Sequence, residues 1–193
     1  MEEVLLDKCP RVETERLVLR RWEERDLEGL TEMCGHLEVM AFFGGAEAPA
    51  EVERMLDRIL ARQYKYGYCF PVVEDKQTAQ FLGFCGLNYQ ETDIPSGPGV
   101  EIGWRLKREV WGEGIATEAA VSWLGFGFKT LKLREVFAIA VEGNRRSENT
   151  MKRLGMTYCE GDDFIDSGLD AGDPLAKNFL YKITYEQFWG TGL

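Results

Sequence analysis

Apolar and polar positions alternate from Val100 to Leu106, the period of a half-buried strand. Gly112 and Gly114 follow, one residue apart. A helical pattern then runs from Ile115 to Leu131, with Ala116, Ala119, Ala120, Trp123, Leu124, Phe128 and Leu131 on its apolar face. This predicts a strand that breaks into a glycine turn and feeds a helix. Upstream, 17–22 reads as a first strand. Leu27, Leu30 and Met33 recur at helical spacing within 24–34, and Val52, Met55, Leu56, Ile59 and Leu60 do so within 50–66. An apolar link at 40–45 ends in glycines. The runs 70–73 and 80–87 read as a hairpin around the polar stretch 74–78. Residues 93–99, with two prolines and two glycines, read as a loop. Val136 to Val141 is continuously apolar, as in a strand covered on both faces. A short helix over 147–154 is stopped by Gly155, and 179–184 closes the sheet. The strand–helix–strand unit from 100 to 141, with helices before and after it, predicts a mixed α/β sheet.

A strand that feeds a helix through glycines is also an anion cradle, because the free amides of the first helical turn point at whatever sits there. A nucleoside-triphosphate loop needs four residues between its glycines and a following Lys-Ser/Thr, which this chain lacks. A dinucleotide turn needs a third glycine where Thr117 stands. The glycine pair alone leaves a purely structural turn open.

Bulk properties narrow the setting. The chain has 193 residues, 45% hydrophobic and 29% charged, which suits one soluble domain over 1–193. No apolar run approaches the ~18 residues of a membrane span, and the acidic start at Met1–Asp7 does not read as a signal peptide. Five cysteines, odd in number and without a Cys-x-x-Cys, argue for a reducing, cytoplasmic setting with neither disulfides nor a metal site. A net charge of −10 argues against direct nucleic-acid binding and suits cationic partners.

The glycine turn does not stand alone. Glu101-Ile-Gly-Trp104 leads into Trp111-Gly-Glu-Gly-Ile-Ala-Thr-Glu-Ala119, and Asn144-Arg-Arg-Ser147 and Arg153-Leu-Gly-Met156 follow. Thr14-Glu-Arg-Leu-Val-Leu-Arg-Arg21, Gly83-Phe-Cys-Gly-Leu87 and Phe179-Leu-Tyr181 complete the set. In this order the motifs resemble the GNAT superfamily of N-acetyltransferases, most of all its RimJ/RimL-like branch, over nearly the whole chain. The resemblance implies a GNAT-type mixed, largely antiparallel central sheet with helices on both faces. It also implies a splayed central strand pair between the Glu101 strand and 136–141. The implied activity is transfer of an acetyl group from acetyl-CoA to a primary amine, by direct attack in a ternary complex. The acceptor would be a protein N-terminus or a small-molecule amine, and the protein a monomer or homodimer. The rival reading is a non-catalytic acyl-CoA-binding or regulatory module.

The resemblance also assigns residues. Backbone around Trp104, Arg105 and Leu106 would hold the pantetheine arm. Trp111, Gly112, Glu113, Gly114, Ile115, Ala116 and Thr117 would form the pyrophosphate turn. The family often has Gln or Arg where Glu109 stands, so Arg108 is the candidate side chain there. Arg145, Arg146 and Lys152 are candidates for the remaining phosphate, or are solvated helix charges. Glu101 would be the base, or else a solvent-facing strand carboxylate. Asn144 would bond the cofactor's arm, and Ser147 would be the acid near the thiol, or else a plain helix N-cap. Tyr158 and Tyr181 are alternative acids. Relatives place histidines where Asp166 and Asn178 stand, so that role does not carry over. The lone histidine, His36, reads as a surface or cap residue, and Cys85 has no neighbour to activate it. The acidic stretch 160–173 is either solvated or a rim for a cationic acceptor.

Overall fold

The computed structural model describes residues 9–91, 94–95, 97–190 and 192. The reading of Met1–Asp7 and the centre of the loop at 93–99 lie outside them. The strands among the described residues are β1 (Val12–Glu13), β2 (Leu17–Arg20), β3 (Val72–Asp75), β4 (Phe81–Gln90), β5 (Gly99–Leu106), β6 (Glu135–Val141), β7 (Thr157–Tyr158), β8 (Phe164–Ile165) and β9 (Lys177–Thr184). They form one sheet in the order β1-β2-β3-β4-β5-β6-β9-β7, with β8 also on β9. Every pairing is antiparallel except β5 with β6. The expected α/β, largely antiparallel GNAT-type sheet is present.

The parallel pair is where the sheet opens. β4 pairs with β5 continuously from Gln90/Gly99 to Gly83/Leu106, and β9 pairs with β6 from Glu135/Thr184 to Val141/Asn178. Between β5 and β6, however, the register contains only Glu101 opposite Phe137. Each strand keeps its outer neighbour while the inner edges part, leaving a wedge beyond Glu101.

The helices are α1 (Leu27–Cys34), α2 (Leu37–Met40), α3 (Pro49–Tyr66), α4 (Ile115–Lys129), α5 (Arg145–Arg153) and α6 (Tyr185–Gly190). One core packs α4 against the sheet through Ala119, Ala120, Trp123, Leu124 and Phe128, which meet Leu17, Leu19, Cys85, Leu87 and Ile102. The other packs α1 and α3 around Trp22, with Leu30, Met33, Val52 and Leu56 against Val72 and Phe84. A buried salt-bridge network supports the second core. Arg20 grips Asp26 through two nitrogens at 2.9 and 2.7 Å, and its Nε reaches Glu74 at 2.8 Å.

Several boundaries differ from the pattern reading. The segment 24–34 is a 3₁₀ turn followed by α1. α4 ends at Lys129 rather than Leu131, and the hairpin strands are 72–75 and 81–90. Helix α5 begins at Arg145, two residues before Ser147. Its N-cap is Asn144, whose Oδ1 accepts from the Ser147 amide at 3.2 Å. Ser147 is therefore inside the first turn, and the N-cap reading of that residue is corrected. Strands of two residues, such as β1, β7 and β8, offer no periodicity to detect.

Candidate active site

The turn between β5 and α4 is built for an anion. Gly112 and Gly114 have φ of 87° and 81°, a left-handed conformation that side chains resist. Gly114 is the N-cap of α4 but has no side chain to bond the first turn. The first cap-spanning bond is from the Glu118 amide to the Gly114 carbonyl, at 3.0 Å. Among the described residues, no acceptor meets any amide from Gly112 to Thr117. Unsatisfied amides in series, with a helix dipole behind them, make a phosphate cradle.

Arg16 and Glu118 brace this turn from behind. Arg16 Nη1 donates to the Glu113 carbonyl at 3.0 Å, and Arg16 Nε reaches Glu118 at 2.6 Å. Glu118 also accepts from the Arg16 amide at 3.0 Å and from the Thr14 hydroxyl. Burial alone would raise the Glu118 carboxyl, but these donors outweigh it and hold it below its ordinary value. Sequence reading missed this role, although Thr14, Arg16 and Glu118 all belong to motifs it had singled out.

A cavity of about 940 Å³ opens in front of the turn. Trp104, Arg105, Leu106, Arg108 and Trp111–Thr117 all line it, as do Asn144, Arg145, Arg146 and Ser147. Trp111 is held by its indole N–H on the Leu106 carbonyl at 2.9 Å and carries the Arg146 guanidinium 4.5 Å above its ring. Arg108 pairs with Glu38 at 2.9 Å. Lys152 is not in the lining. It bonds Glu148 at 2.7 Å on a different stripe of α5, and Arg153 faces the cavity instead. The structure therefore pairs Lys152 with Glu148 and does not bring it to this cavity. Arg153 stands seven residues, two helical turns, after Arg146, a spacing that would have found it.

A second cavity, of about 560 Å³, lies on the α1–α3 side of the wedge, and Glu101, Phe70, Asn88, Asp166 and Asn178 line it. The two cavities are neighbours and share Phe42, Phe43, Trp104, Arg105, Asn144 and Ser147 in their linings. Burial pushes the Glu101 carboxyl up to about 7, against the opposing pull of Asn88, its partner across β4, and of Arg62. A strand carboxylate facing solvent would not behave so. Of the acidic residues at 160–173, only Asp166 lines this cavity, while Asp163 accepts from the Tyr158 hydroxyl at 2.8 Å.

The acid candidates separate on hydrogen bonding. Tyr181 donates to Glu148 at 2.9 Å and its hydroxyl is pushed up to about 12, first by burial and then by that carboxylate. Neither Tyr158 nor Tyr181 lines either of these two cavities, whereas Ser147 lines both. The Ser147 hydroxyl has no bonding partner among the described residues. Cys85 is fully buried and its thiol is pushed well up by burial. His36 caps α2 without a side-chain bond.

A split parallel pair, a glycine turn of free amides and a carboxylate in the adjoining cavity are the features of this site. The chain matches the acetyltransferase (GNAT) domain family over residues 16–157, and it belongs to that family. YkkB of Bacillus subtilis is 32% identical over 148 residues, covering 75% of this chain and 84% of YkkB. A GNAT-family acetyltransferase from Bacillus anthracis superposes with a TM-score of 0.74 at 23% identity, covering 92% of this chain and 99% of that one. A spermidine N-acetyltransferase from Vibrio cholerae, solved with CoA and spermine, gives a TM-score of 0.68 at 18% identity, covering 91% and 99%. Among the described residues, no helix is long and apolar enough to cross a membrane.

Proposed function

We propose that this acetyltransferase moves an acetyl group from acetyl-CoA to a primary amine by direct attack in a ternary complex, and that its sequence places it in the RimJ/RimL-like branch. The observation that supports the mechanism is that the cavity at Gly112–Thr117 and the cavity at Glu101 adjoin, with Trp104, Arg105, Asn144 and Ser147 lining both. The donor fits this chain because unsatisfied amides line the turn and Arg145, Arg146 and Arg153 flank it. When bound, acetyl-CoA supplies the activated acyl group and the thiolate leaving group.

The residues divide the remaining work. The open inner edge of β5 at Trp104–Leu106 offers backbone groups to the donor's arm. Asn144 spends its carbonyl oxygen on the α5 cap, which leaves its amide nitrogen for the arm. Glu101 takes a proton from the acceptor's ammonium. A carboxyl near 7 suits that task, because a base with a pKa close to working pH combines availability with driving force. The freed lone pair forms the new C–N bond as the C–S bond breaks. Ser147 is placed to give the sulfur its proton and to be reprotonated by the second proton that the acylated nitrogen sheds, with Asn144 fixing its amide. An acyl-enzyme route has little support, since Cys85 is inaccessible and its thiol is held protonated.

Titration calorimetry with acetyl-CoA, together with thiol release against a panel of primary amines, tests this reading. Binding followed by amine-dependent thiol release is expected. Tight binding without release to any amine would leave only the binding-module role.

A further inference from the structure

The residue the transfer chemistry leaves unexplained is Arg105. It stands on the same face of β5 as Glu101 and Gly103 and lines both cavities. Arg105 is half-buried, and a guanidinium withdrawn from water normally faces a carboxylate, because an uncompensated charge there is costly. Among the described residues Arg105 enters no ion pair. Glu47 acts on it only at a distance, and burial weakens its hold on its proton. Its Nε is buried without a partner, and Nη1 meets only the Cys34 sulfur at 3.7 Å. Nη2 has no partner and is not among the buried unsatisfied atoms, so it opens into the cavities.

The surroundings orient this group. The guanidinium lies over the Phe43 ring at 3.7 Å and over Phe84 at 5.4 Å. Rings against its faces leave the in-plane N–H edge as the free binding surface, the edge that grips a carboxylate. Phe70 stacks on Phe84 at 5.8 Å and fills the space left by Gly103, where a Cβ would stand 2.7 Å from the ring. An aromatic shelf thus runs from Glu101 to Arg105. Three residues of strand stand between the two, so four rises put their Cα atoms about 13 Å apart.

Resting on the transfer reading above, we infer that the acceptor is a primary amine carrying a carboxylate several bonds away, with the amine at Glu101, an apolar spacer along Phe70 and Phe84, and the carboxylate on Arg105. An ω-amino acid or a short peptide with an acidic end has this form. An α-amino acid is too short. This qualifies the simple expectation from net charge, since the cavity lined by the Glu101 and Asp166 carboxylates also holds the Arg105 guanidinium.

The test compares the ω-amino acids from aminobutanoate to aminooctanoate with their primary amides, by thiol release. The acid of each sufficiently long pair should be favoured in kcat/KM by about 10- to 100-fold, the worth of a hydrogen-bonded charge. Preference should rise with chain length and then level off. In Arg105→Met the two members of each pair should converge, and Arg105→Lys should restore part of the gap. Acetyl-CoA affinity by calorimetry should stay within about twofold, since a matching loss would place the donor's phosphates on Arg105 and overturn the inference. Should Arg105→Met fail to fold, the wild-type pairs decide alone. Acetylation indifferent to the carboxylate overturns this inference and leaves the transferase reading standing. No acetylation of any amine overturns both.

Discussion

Arg16 and Glu118, 102 residues apart, form an ion pair of 2.6 Å that fastens the start of β2 to the first turn of α4. The same arginine holds the Glu113 carbonyl, so the edge of the sheet fixes the geometry of the phosphate cradle. Two motifs that look independent in the sequence are one device.

Glu118→Gln should therefore cost about 1–3 kcal/mol of stability, the range for a hydrogen bond to a charged group, and should weaken acetyl-CoA binding as well. Because the native carboxyl is held below its ordinary 4.5, its contribution is present above that pH and fades as pH falls through the lower folded value. Thermal unfolding against pH checks this: wild type and variant should converge in acid.

Gly112→Ala adds a Cβ that meets no protein atom within 4 Å, so its penalty arises from backbone strain and from the space reserved for ligand. Stability should drop by about 1–2 kcal/mol, with acetyl-CoA affinity down about tenfold or more. A folded variant by circular dichroism with wild-type affinity would remove the cradle from the binding site.

Glu101→Gln should lower kcat by about 10²–10⁴ while leaving acetyl-CoA affinity near wild type. Wild-type kcat/KM for the amine should rise with pH through about 7 as the carboxylate forms, and the variant's deficit should shrink at high pH. Stability runs the other way. The carboxyl is raised in the folded state, so wild type is most favoured below 4.5 and loses stability from there to about 7. The variant escapes that loss and should melt higher at alkaline pH. A pH-independent difference in melting would contradict the burial of this group.

Asp166→Asn should raise the KM of a cationic acceptor a few-fold at low salt, with the effect fading as salt screens it over a Debye length of about 8–10 Å. Asp162→Asn, outside the cavity lining, should change little. Initial rates at two ionic strengths make the comparison.

The helices α3 and α4 and the strands β4, β5, β6 and β9 were legible because each is long enough to show a period, and the turn was legible because glycine spacing is a local signal. The acceptor cavity was less so. Its walls come from Phe43, Phe70, Phe84, Asp166 and Asn178, which only the strand order brings together. Asn178 reads in the sequence only as a place where an expected histidine is missing, and Asp166 as that and as part of the acidic stretch, yet both line the cavity. Arg105 was read for its backbone, since nothing in a linear sequence says that a strand arginine lacks a carboxylate partner. Lys152 and Arg153 are adjacent in sequence but point to different stripes of α5, a distinction that a count of basic residues cannot make.

The single Glu101–Phe137 register also makes the sheet two half-sheets sharing one seam. Strands β1 to β5 lie on one side of the seam and β6 to β9 on the other, joined by a shared core, and a molecule lying in the wedge would stand in for the ladder the seam lacks. Amide exchange should reveal it: the inner-edge amides of β5 beyond Glu101 exchange fast in the free protein and slow sharply with acetyl-CoA, while β4 and β9 change little. The co-substrate would then be a temporary strand, and each turnover would close and reopen the protein's own sheet.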